Sequence, residues 1–148
     1  MEMDINKQKL VLLVEDDAND IELIKRAFAK LEMNIRLDVV KNGVDGAKYL
    51  DDVHTNEEKY TPDLIILDLK LPKKNGHELL DWIKDREHVR KIPVVVFTSS
   101  NENRDIEKAY KLGANSYILK PVSFEKLTEL IKTLTTYWLM INENVPDR

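Results

Sequence analysis

The stretch DLIILDLKLP, residues 63–72, decides the fold. Leu64–Leu67 form an unbroken apolar run, which is the pattern of a short strand buried on both of its faces. Asp68 follows this run directly, and Pro72 stands four residues further on. A carboxylate at the end of a buried strand needs an explanation, and similar runs elsewhere in the chain point to one.

Short apolar runs alternate with helical patterns along the chain. After the first run, Ile21, Ile24 and Phe28 recur at spacings of three and four, which predicts a helix with one apolar stripe. Five strands that alternate with five helices predict an α/β fold with a mostly parallel sheet. The predicted strands are Leu10–Val14, Ile35–Val40, Leu64–Leu67, Val94–Phe97 and Ser116–Leu119.

The order of the strands follows from how apolar each one is. The second strand, IRLDVV, interrupts its apolar residues with Arg36 and Asp38, which is typical of an edge strand, and the fifth is also mixed. Edges at strands two and five predict the doubly wound, flavodoxin-like order 2-1-3-4-5. The polar stretch Asp51–Thr61 predicts a long loop, and Gly113 is well placed to end the fourth helix.

Composition narrows the class of protein. The 148 residues suit one domain, and a net charge of −4 argues against nucleic acid as a partner. The chain has no cysteine, so disulfides and thiolate metal sites are excluded. Its longest apolar runs are far shorter than the roughly 20 residues of a membrane span, and residues 1–9 do not form a signal peptide. We therefore expect a soluble, cytoplasmic, single-domain protein with no membrane partner.

Polar residues stand where the strands end. Because the carboxyl ends of parallel strands meet at one edge of the sheet, these side chains should converge on one pocket. Clustered carboxylates repel one another, and a hard cation such as Mg²⁺ or Mn²⁺ relieves that repulsion. A lysine and a hydroxyl beside the metal suit phosphoryl oxygens, and one carboxylate can act as the nucleophile. The residues are Glu15, Asp16, Asp17, Asp68, Thr98 and Lys120.

Four motifs at these strand ends resemble, in order, the receiver domain of two-component response regulators. They are VEDD at 14–17, DLKLPKKNG at 68–76, PVVVFTS at 93–99 and YILKP at 117–121. The resemblance predicts a receiver core over about residues 9–134, within one domain spanning 1–148 and without an output domain. The long loop, the LPKKNG stretch and the extended C-terminal end are most similar to the stand-alone receivers of bacterial phytochromes and related hybrid sensor kinases.

The resemblance also implies which residues hold the phosphoryl group and the metal. Asp68 matches the aspartate that is phosphorylated in receivers. Asp16 matches a direct ligand of Mg²⁺, Glu15 a looser one, and Lys70 the residue whose backbone carbonyl is a further ligand. The Lys70 side chain departs from simpler receivers, and we expect its ammonium to reach over the phosphoryl group and alter the access of water.

The remaining implied roles concern activation. Thr98 matches the hydroxyl that bonds the phosphoryl group; Ser99 competes by register, but Thr98 lies five residues after Pro93, as in the family. Lys120 matches the lysine that pairs with the phosphoryl group, and the bond from it to Pro121 is usually cis in receivers. Tyr117 matches the aromatic switch residue, although a static, half-buried ring is an equal alternative.

The predicted activity is signalling rather than enzymatic turnover of a separate substrate. A sensor histidine kinase is the expected donor, an unidentified downstream protein is the target, and slow self-dephosphorylation ends the signal. A flavin-binding protein would share the sheet order, but its phosphate loop is here the acidic EDDAND at 15–20. An aspartate-nucleophile phosphatase would usually carry a second acid where Lys70 stands, and a passive binding module would not need the full set of site residues.

Two acidic residues after the first strand have a simpler interpretation than metal binding. Asp17 and Asp20 stand at the start of the first helix, where carboxylates cap open backbone N–H groups.

The last helix is predicted to serve a partner as well as the core. If continuous over 124–141, it is roughly 27 Å long, whereas the strands span only about 17 Å. Its end, YWLMI at 137–141, should overhang with apolar residues on all sides, and such surfaces usually mark interfaces. We therefore expect a homodimer built partly on Tyr137, Trp138 and Ile141, with a monomer whose tail folds back as the alternative.

Overall fold

The computed structural model describes residues 7–55 and 60–146. In this part of the chain, five parallel strands form one sheet in the order β2-β1-β3-β4-β5, as predicted. The strands are β1 (Lys9–Val14), β2 (Ile35–Val40), β3 (Leu64–Leu67), β4 (Val94–Thr98) and β5 (Ser116–Leu119). The helices are α1 (Ala18–Ala29), α2 (Gly43–Thr55), α3 (Gly76–Lys84), α4 (Asn103–Lys111) and α5 (Phe124–Thr135), followed by a terminal π-helix (Thr136–Ile141).

The core lies on both faces of the sheet. On β1, Leu12 and Val14 face α2, α3 and α4, whereas Val11 and Leu13 face α1 and α5. This alternation is the two-residue period of a strand, and it explains why the central strands are apolar throughout. Burying each such side chain contributes about 1.5–3 kcal/mol. The outer strands β2 and β5 are only partly buried, which confirms the prediction that they form the edges.

Gly113 ends α4, as the sequence predicts. Its φ of 100° lies in the left-handed region, and its N–H donates to the carbonyl of Tyr110 over 3.0 Å. A glycine adopts this conformation without the steric cost that a Cβ imposes. None of the helices in the described ranges is both long and apolar enough to cross a membrane.

The predicted loop over Asp51–Thr61 is wrong in its first part, because α2 continues to Thr55. Leu50 is fully buried and Val53 is half-buried, so the apolar face of the helix extends by one turn past the point where the composition becomes polar. Packing of this face outweighs the acidic composition that suggested a loop. Residues 56–59 of the predicted loop lie outside the described part of the chain.

The chain stays helical over 124–141, as the sequence predicts, but its last turns are π-helical. α5 ends at Thr135, and the chain then widens into the π-helix, in which the N–H of Asn142 donates to the carbonyl of Tyr137 over 2.7 Å. Leu139, five residues after Leu134, is buried in the same core cluster as Leu134, which is the spacing of a π-turn. The end of the helix therefore folds onto the protein on one side instead of overhanging on all sides.

The loop from Asp68 to α3 packs tightly on itself at Gly76. The Gly76 N–H donates to the carbonyl of Leu69 over 3.0 Å. A Cβ at this position would overlap the backbone oxygen of Asp68 and lie 2.6 Å from the Cα of Leu69. The absence of a side chain at Gly76 is therefore what allows the loop to close beside Asp68.

We expect Gly76→Ala to lower the free energy of unfolding by roughly 1–3 kcal/mol, because the backbone must move to admit the methyl group. Urea unfolding followed by circular dichroism measures the change. Gly46→Ala is the matched control, since its Cβ would meet side-chain atoms and no backbone, the nearest being the Cδ2 of Leu79 at 3.0 Å. Equal losses in the two variants would contradict this account of the loop.

Candidate functional site

Three carboxylates meet at the carboxyl end of the sheet. Oxygen atoms of Glu15, Asp16 and Asp68 all lie within 4.8 Å of one another. Backbone hydrogen bonds fix Glu15 and Asp68. The Glu15 N–H donates to the carbonyl of Val40 over 3.0 Å, and the Asp68 N–H donates to the carbonyl of Val14 over 3.0 Å. Glu15 is 1% exposed and Asp68 is 6% exposed, whereas Asp16 is open to solvent. The structure thus brings together the acidic residues that the strand ends predicted.

Glu15 is the most enclosed member of the cluster. Its Oε2 accepts from the backbone N–H groups of Asp16 over 3.1 Å and Asp17 over 3.2 Å. Burial raises the pKa of its carboxyl to about 7, the bond from Lys120 acts in the opposite direction, and the charge of Asp68 adds to the increase. Because burial disfavours the charged form of Glu15, a cation bound beside this carboxylate would favour that form.

Lys120 supplies one cation to the cluster. Its Nζ donates to Glu15 Oε1 over 2.6 Å and to Asp68 Oδ2 over 3.1 Å. The backbone places it, because the Lys120 N–H donates to the carbonyl of Thr98 over 2.9 Å. Burial lowers the pKa of the ammonium, but the bonds to Asp20 and Glu15 and the charge of Asp68 outweigh that effect and raise the pKa above its ordinary value. Lys120 is therefore cationic at any physiological pH.

Asp20 belongs to the site, which sequence reasoning missed. Asp17 caps α1 as predicted, since its Oδ1 accepts from the Asp20 N–H over 2.9 Å. The carboxylate of Asp20 instead accepts from Lys120 Nζ over 2.7 Å. The signal that could have found it is its place four residues after Asp16, in a first helical turn that starts beside the acidic cluster.

Thr98 is fully buried at the end of β4, and its Oγ1 has no hydrogen-bond partner among the described residues. Ser99, the alternative by register, is exposed. A buried hydroxyl without a partner is uncommon, since most such groups are satisfied. The hydroxyl of Thr98 is therefore available to a group that enters the site, and its role there stays a prediction.

Tyr117 lies against the loop that follows β4. The ring is half-buried, and its hydroxyl donates to the carbonyl of Ser100 over 2.7 Å. Burial raises the pKa of the phenol above its ordinary value. The hydroxyl of Ser100 in turn donates to Asp105 Oδ2 on α4 over 2.6 Å. These two hydrogen bonds link the loop, β5 and α4. The switch role of Tyr117 stays a prediction.

The peptide bond from Lys120 to Pro121 differs from what the resemblance implied. No cis peptide bond occurs in residues 7–55 or 60–146, so this bond is trans. The trans isomer of a bond before proline is favoured by about 0.5–1 kcal/mol unless packing selects the other isomer.

A divalent metal fits the acidic cluster. Within the described residues, Lys120 pairs with Glu15, Asp20 and Asp68, and Asp16 adds a further carboxylate beside Glu15 and Asp68, so the carboxylates outnumber the ammonium. Oxygen-only ligands suit Mg²⁺ and Mn²⁺.

Lys70 stands two residues after Asp68 on the loop that leads to α3. Its N–H donates to Asp68 Oδ1 over 3.4 Å, and its side chain is exposed. The use of its carbonyl as a metal ligand, and of its ammonium over a phosphoryl group, stay predictions.

Comparisons with known proteins agree with this geometry. Residues 11–132 match the family model described as the response regulator receiver domain. A probable methanogenesis regulatory protein, FilR2 of Methanothrix harundinacea, is 40% identical over 91% of this chain and 86% of its own length.

Solved structures are similar over nearly the whole chain. The phosphorylated cyanobacterial phytochrome response regulator RcpA has a TM-score of 0.87 and 35% identity, covering 95% of this chain and 100% of that one. The Mn²⁺-bound form of response regulator Rcp1, a protein of Synechocystis sp., has a TM-score of 0.83 and 31% identity, covering 93% and 99%. The bound manganese of that structure agrees with the metal that the acidic cluster suits.

We expect Lys120→Met to lower the free energy of unfolding in metal-free buffer by about 3–5 kcal/mol, because Glu15 and Asp68 lose a buried partner. Mg²⁺ should then stabilise the variant more than the wild type, since the cation replaces the missing charge. Urea unfolding with and without Mg²⁺ measures both effects. Lys126→Met, which removes an exposed lysine of α5, should unfold like the wild type. A Mg²⁺ response equal in Lys120→Met and the wild type would contradict the prediction.

Proposed function

This chain belongs to the response regulator receiver domain family, and from that premise we propose that it accepts a phosphoryl group on Asp68 from a histidine of a sensor kinase. The observation that carries the proposal is the bond from Lys120 Nζ to Asp68 Oδ2 beside the Glu15–Asp16 pair. A carboxylate oxygen that is bonded to a cation and belongs to a cluster able to bind a metal supports this proposal, because transfer of a charged group needs positive charge around the acceptor.

The proposed transfer moves the phosphoryl group from a histidine nitrogen to an oxygen of Asp68. An oxygen of Asp68 forms a bond to phosphorus, the bond from phosphorus to the donor histidine nitrogen breaks, and the histidine nitrogen takes up a proton. Lys120 carries positive charge to the phosphoryl oxygens. The hydroxyl of Thr98, which has no hydrogen-bond partner among the described residues, can donate to one of them. When bound by Asp16, Asp68, the looser ligand Glu15 and the carbonyl of Lys70, Mg²⁺ supplies further positive charge for the same oxygens.

The same site ends the signal. Water attacks phosphorus, the bond to the Asp68 oxygen breaks, and inorganic phosphate leaves with the carboxylate regenerated. The protein thus acts on its own phosphoryl group and turns over no separate substrate. The exposed ammonium of Lys70 stands on the loop next to Asp68, where it can limit the approach of water.

The output is a change of surface. When Thr98 bonds the phosphoryl group, the loop that follows β4 shifts, and Tyr117 moves with it because its hydroxyl bonds the carbonyl of Ser100. The Ser100–Asp105 bond carries the shift to α4. A downstream protein then reads the altered surface of α4, β5 and α5 by contact.

The kinase is of the phytochrome or hybrid type, a narrower proposal supported by the likeness to RcpA, which is named for a phytochrome. The rival functions have weaker support. The strand-end loop EDDAND would repel a flavin phosphate, and the exposed Lys70 stands where a phosphatase would carry its second acid. The complete set of site residues, assembled at one edge, disfavours a passive binding module.

A homodimer is the remaining part of the proposal. Tyr137 is 48% exposed and Ile141 is 62% exposed on the π-helix, whereas Trp138 packs in part against the core of its own chain. Tyr137 and Trp138 also meet edge to face, with ring centroids 5.0 Å apart. These rings and Ile141 offer a small apolar surface to a second copy.

Titration with beryllofluoride, a mimic of the phosphoryl group, tests the main proposal. We expect a saturable, Mg²⁺-dependent change in the fluorescence of Trp82 and Trp138 in the wild type and none in Asp68→Asn, which lacks the acceptor carboxylate. Asp81→Asn, on the exposed side of α3, should respond like the wild type. No response in the wild type, with Mg²⁺ shown to be bound, would favour a passive binding module.

Light scattering tests the dimer. We expect the double variant Tyr137→Ser, Ile141→Ser to have half the mass of the wild type while keeping its fold, because neither side chain belongs to the core. Val122→Ser removes a fully exposed side chain elsewhere and should leave the mass unchanged. A wild type of monomeric mass, or a double variant that stays dimeric, would rule out this contact.

A further inference from the structure

We propose that Asp20 is a positioning residue that anchors the ammonium of Lys120 and directs its remaining N–H at the phosphoryl group on Asp68. The inference rests on the proposed function and adds to it a residue on a different element from the rest of the site. Asp20 lies on α1, whereas the acceptor follows β3 and the lysine follows β5.

The three bonds of the ammonium are unequal. An ammonium has three N–H donors, and in Lys120 they reach Glu15 over 2.6 Å, Asp20 over 2.7 Å and Asp68 over 3.1 Å. The longest bond goes to the carboxylate that changes its chemistry on phosphorylation. A phosphoryl oxygen can therefore replace Asp68 as the third acceptor while the two shorter bonds persist.

Both short bonds end on carboxylates that the backbone holds in place. Glu15 is buried and accepts two backbone N–H groups. Asp20 stands in the first turn of α1, where the N-cap residue Asp17 accepts from its N–H over 2.9 Å. Since the Lys120 side chain is long and flexible, two fixed acceptors restrict its head far more than one does.

The helix start also explains why Asp20 is available to Lys120. In a capping box, a Glu or Gln three positions after the N-cap reaches back to the backbone N–H of the cap, and Asp20 stands at this position. Here the Asp17 N–H is already bonded to Glu15 Oε2 over 3.2 Å. The carboxylate of Asp20 therefore has no capping partner to satisfy and turns to the lysine instead.

The negative charge of Asp20 repels the negative phosphoryl group. The effect of this repulsion on binding must therefore be measured separately from the effect of Asp20 on the position of Lys120. Asp20→Asn and Asp20→Ala remove the same charge, but only asparagine keeps an oxygen that accepts from the ammonium. A difference between these two variants therefore reports on positioning alone. Asp17→Asn is the control for charge, because it removes a carboxylate from the same helix start and asparagine caps as well as aspartate.

The first measurement is beryllofluoride affinity at saturating Mg²⁺. We expect Asp20→Asn to bind about tenfold more tightly than Asp20→Ala, the loss expected for one hydrogen bond to a charged group. Urea unfolding of each variant checks that the fold is kept. Equal affinities in the two folded variants would overturn the proposal and leave Asp20 with a purely electrostatic effect.

The second measurement needs no phosphoryl mimic. In ¹⁵N NMR of the unliganded protein, we expect a slowly exchanging ammonium signal from Lys120 that persists in Asp20→Asn and is lost in Asp20→Ala. A signal unchanged in Asp20→Ala would show that Glu15 and Asp68 hold the lysine without Asp20 and would overturn the proposal. If neither the wild type nor the variants bound beryllofluoride but the ammonium signal behaved as expected, the proposed phosphorylation would be wrong. The anchoring of Lys120 by Asp20 would still be supported.

Discussion

One ammonium holds the end of this sheet together. Carboxylates from three separate chain segments approach one another there, and without Lys120 their repulsion would oppose the packing of β1, β3 and α1. A buried ion cluster of this kind is costly, because the Coulomb attraction must offset the loss of hydration. A protein built for stability alone would place apolar residues there, so the cluster indicates that charge at this edge serves function.

The surrounding fold keeps that charge in place. Parallel strands bring their carboxyl ends to one edge, and the apolar layers on both faces fix the strands themselves. The loop after Asp68 closes over Gly76, where a side chain would collide with backbone. The strands and loops that carry the site are therefore stabilised by apolar packing and not by the charges themselves. A site held in this way need not reorganise when a ligand binds.

The sequence predicted most of this because its signals are local. Unbroken apolar runs mark the buried strands, and the polar residues that end those runs mark the edge where Asp68, Asp16 and Lys120 meet. The errors arose where packing outweighs composition. The acidic end of α2 stays helical because Leu50 and Val53 continue its buried face, and the last helix changes its hydrogen bonding so that Leu139 reaches the core. The sequence predicts only a capping role for Asp20, because the partner of its carboxylate in the structure lies 100 residues away in the chain.

The π-helix at the end of α5 has a consequence for how this segment can change in evolution. A π-turn holds one residue more than an α-turn, and here the surplus residue separates Leu134 from Leu139. Loss of one residue from the turn would restore α-helical spacing and still bring a leucine onto the same patch of core. The segment can therefore shorten by one residue and still bury a leucine in the core. The aromatic rings beside that leucine would then point in a new direction. Related chains of different length could in this way present different surfaces from the same scaffold.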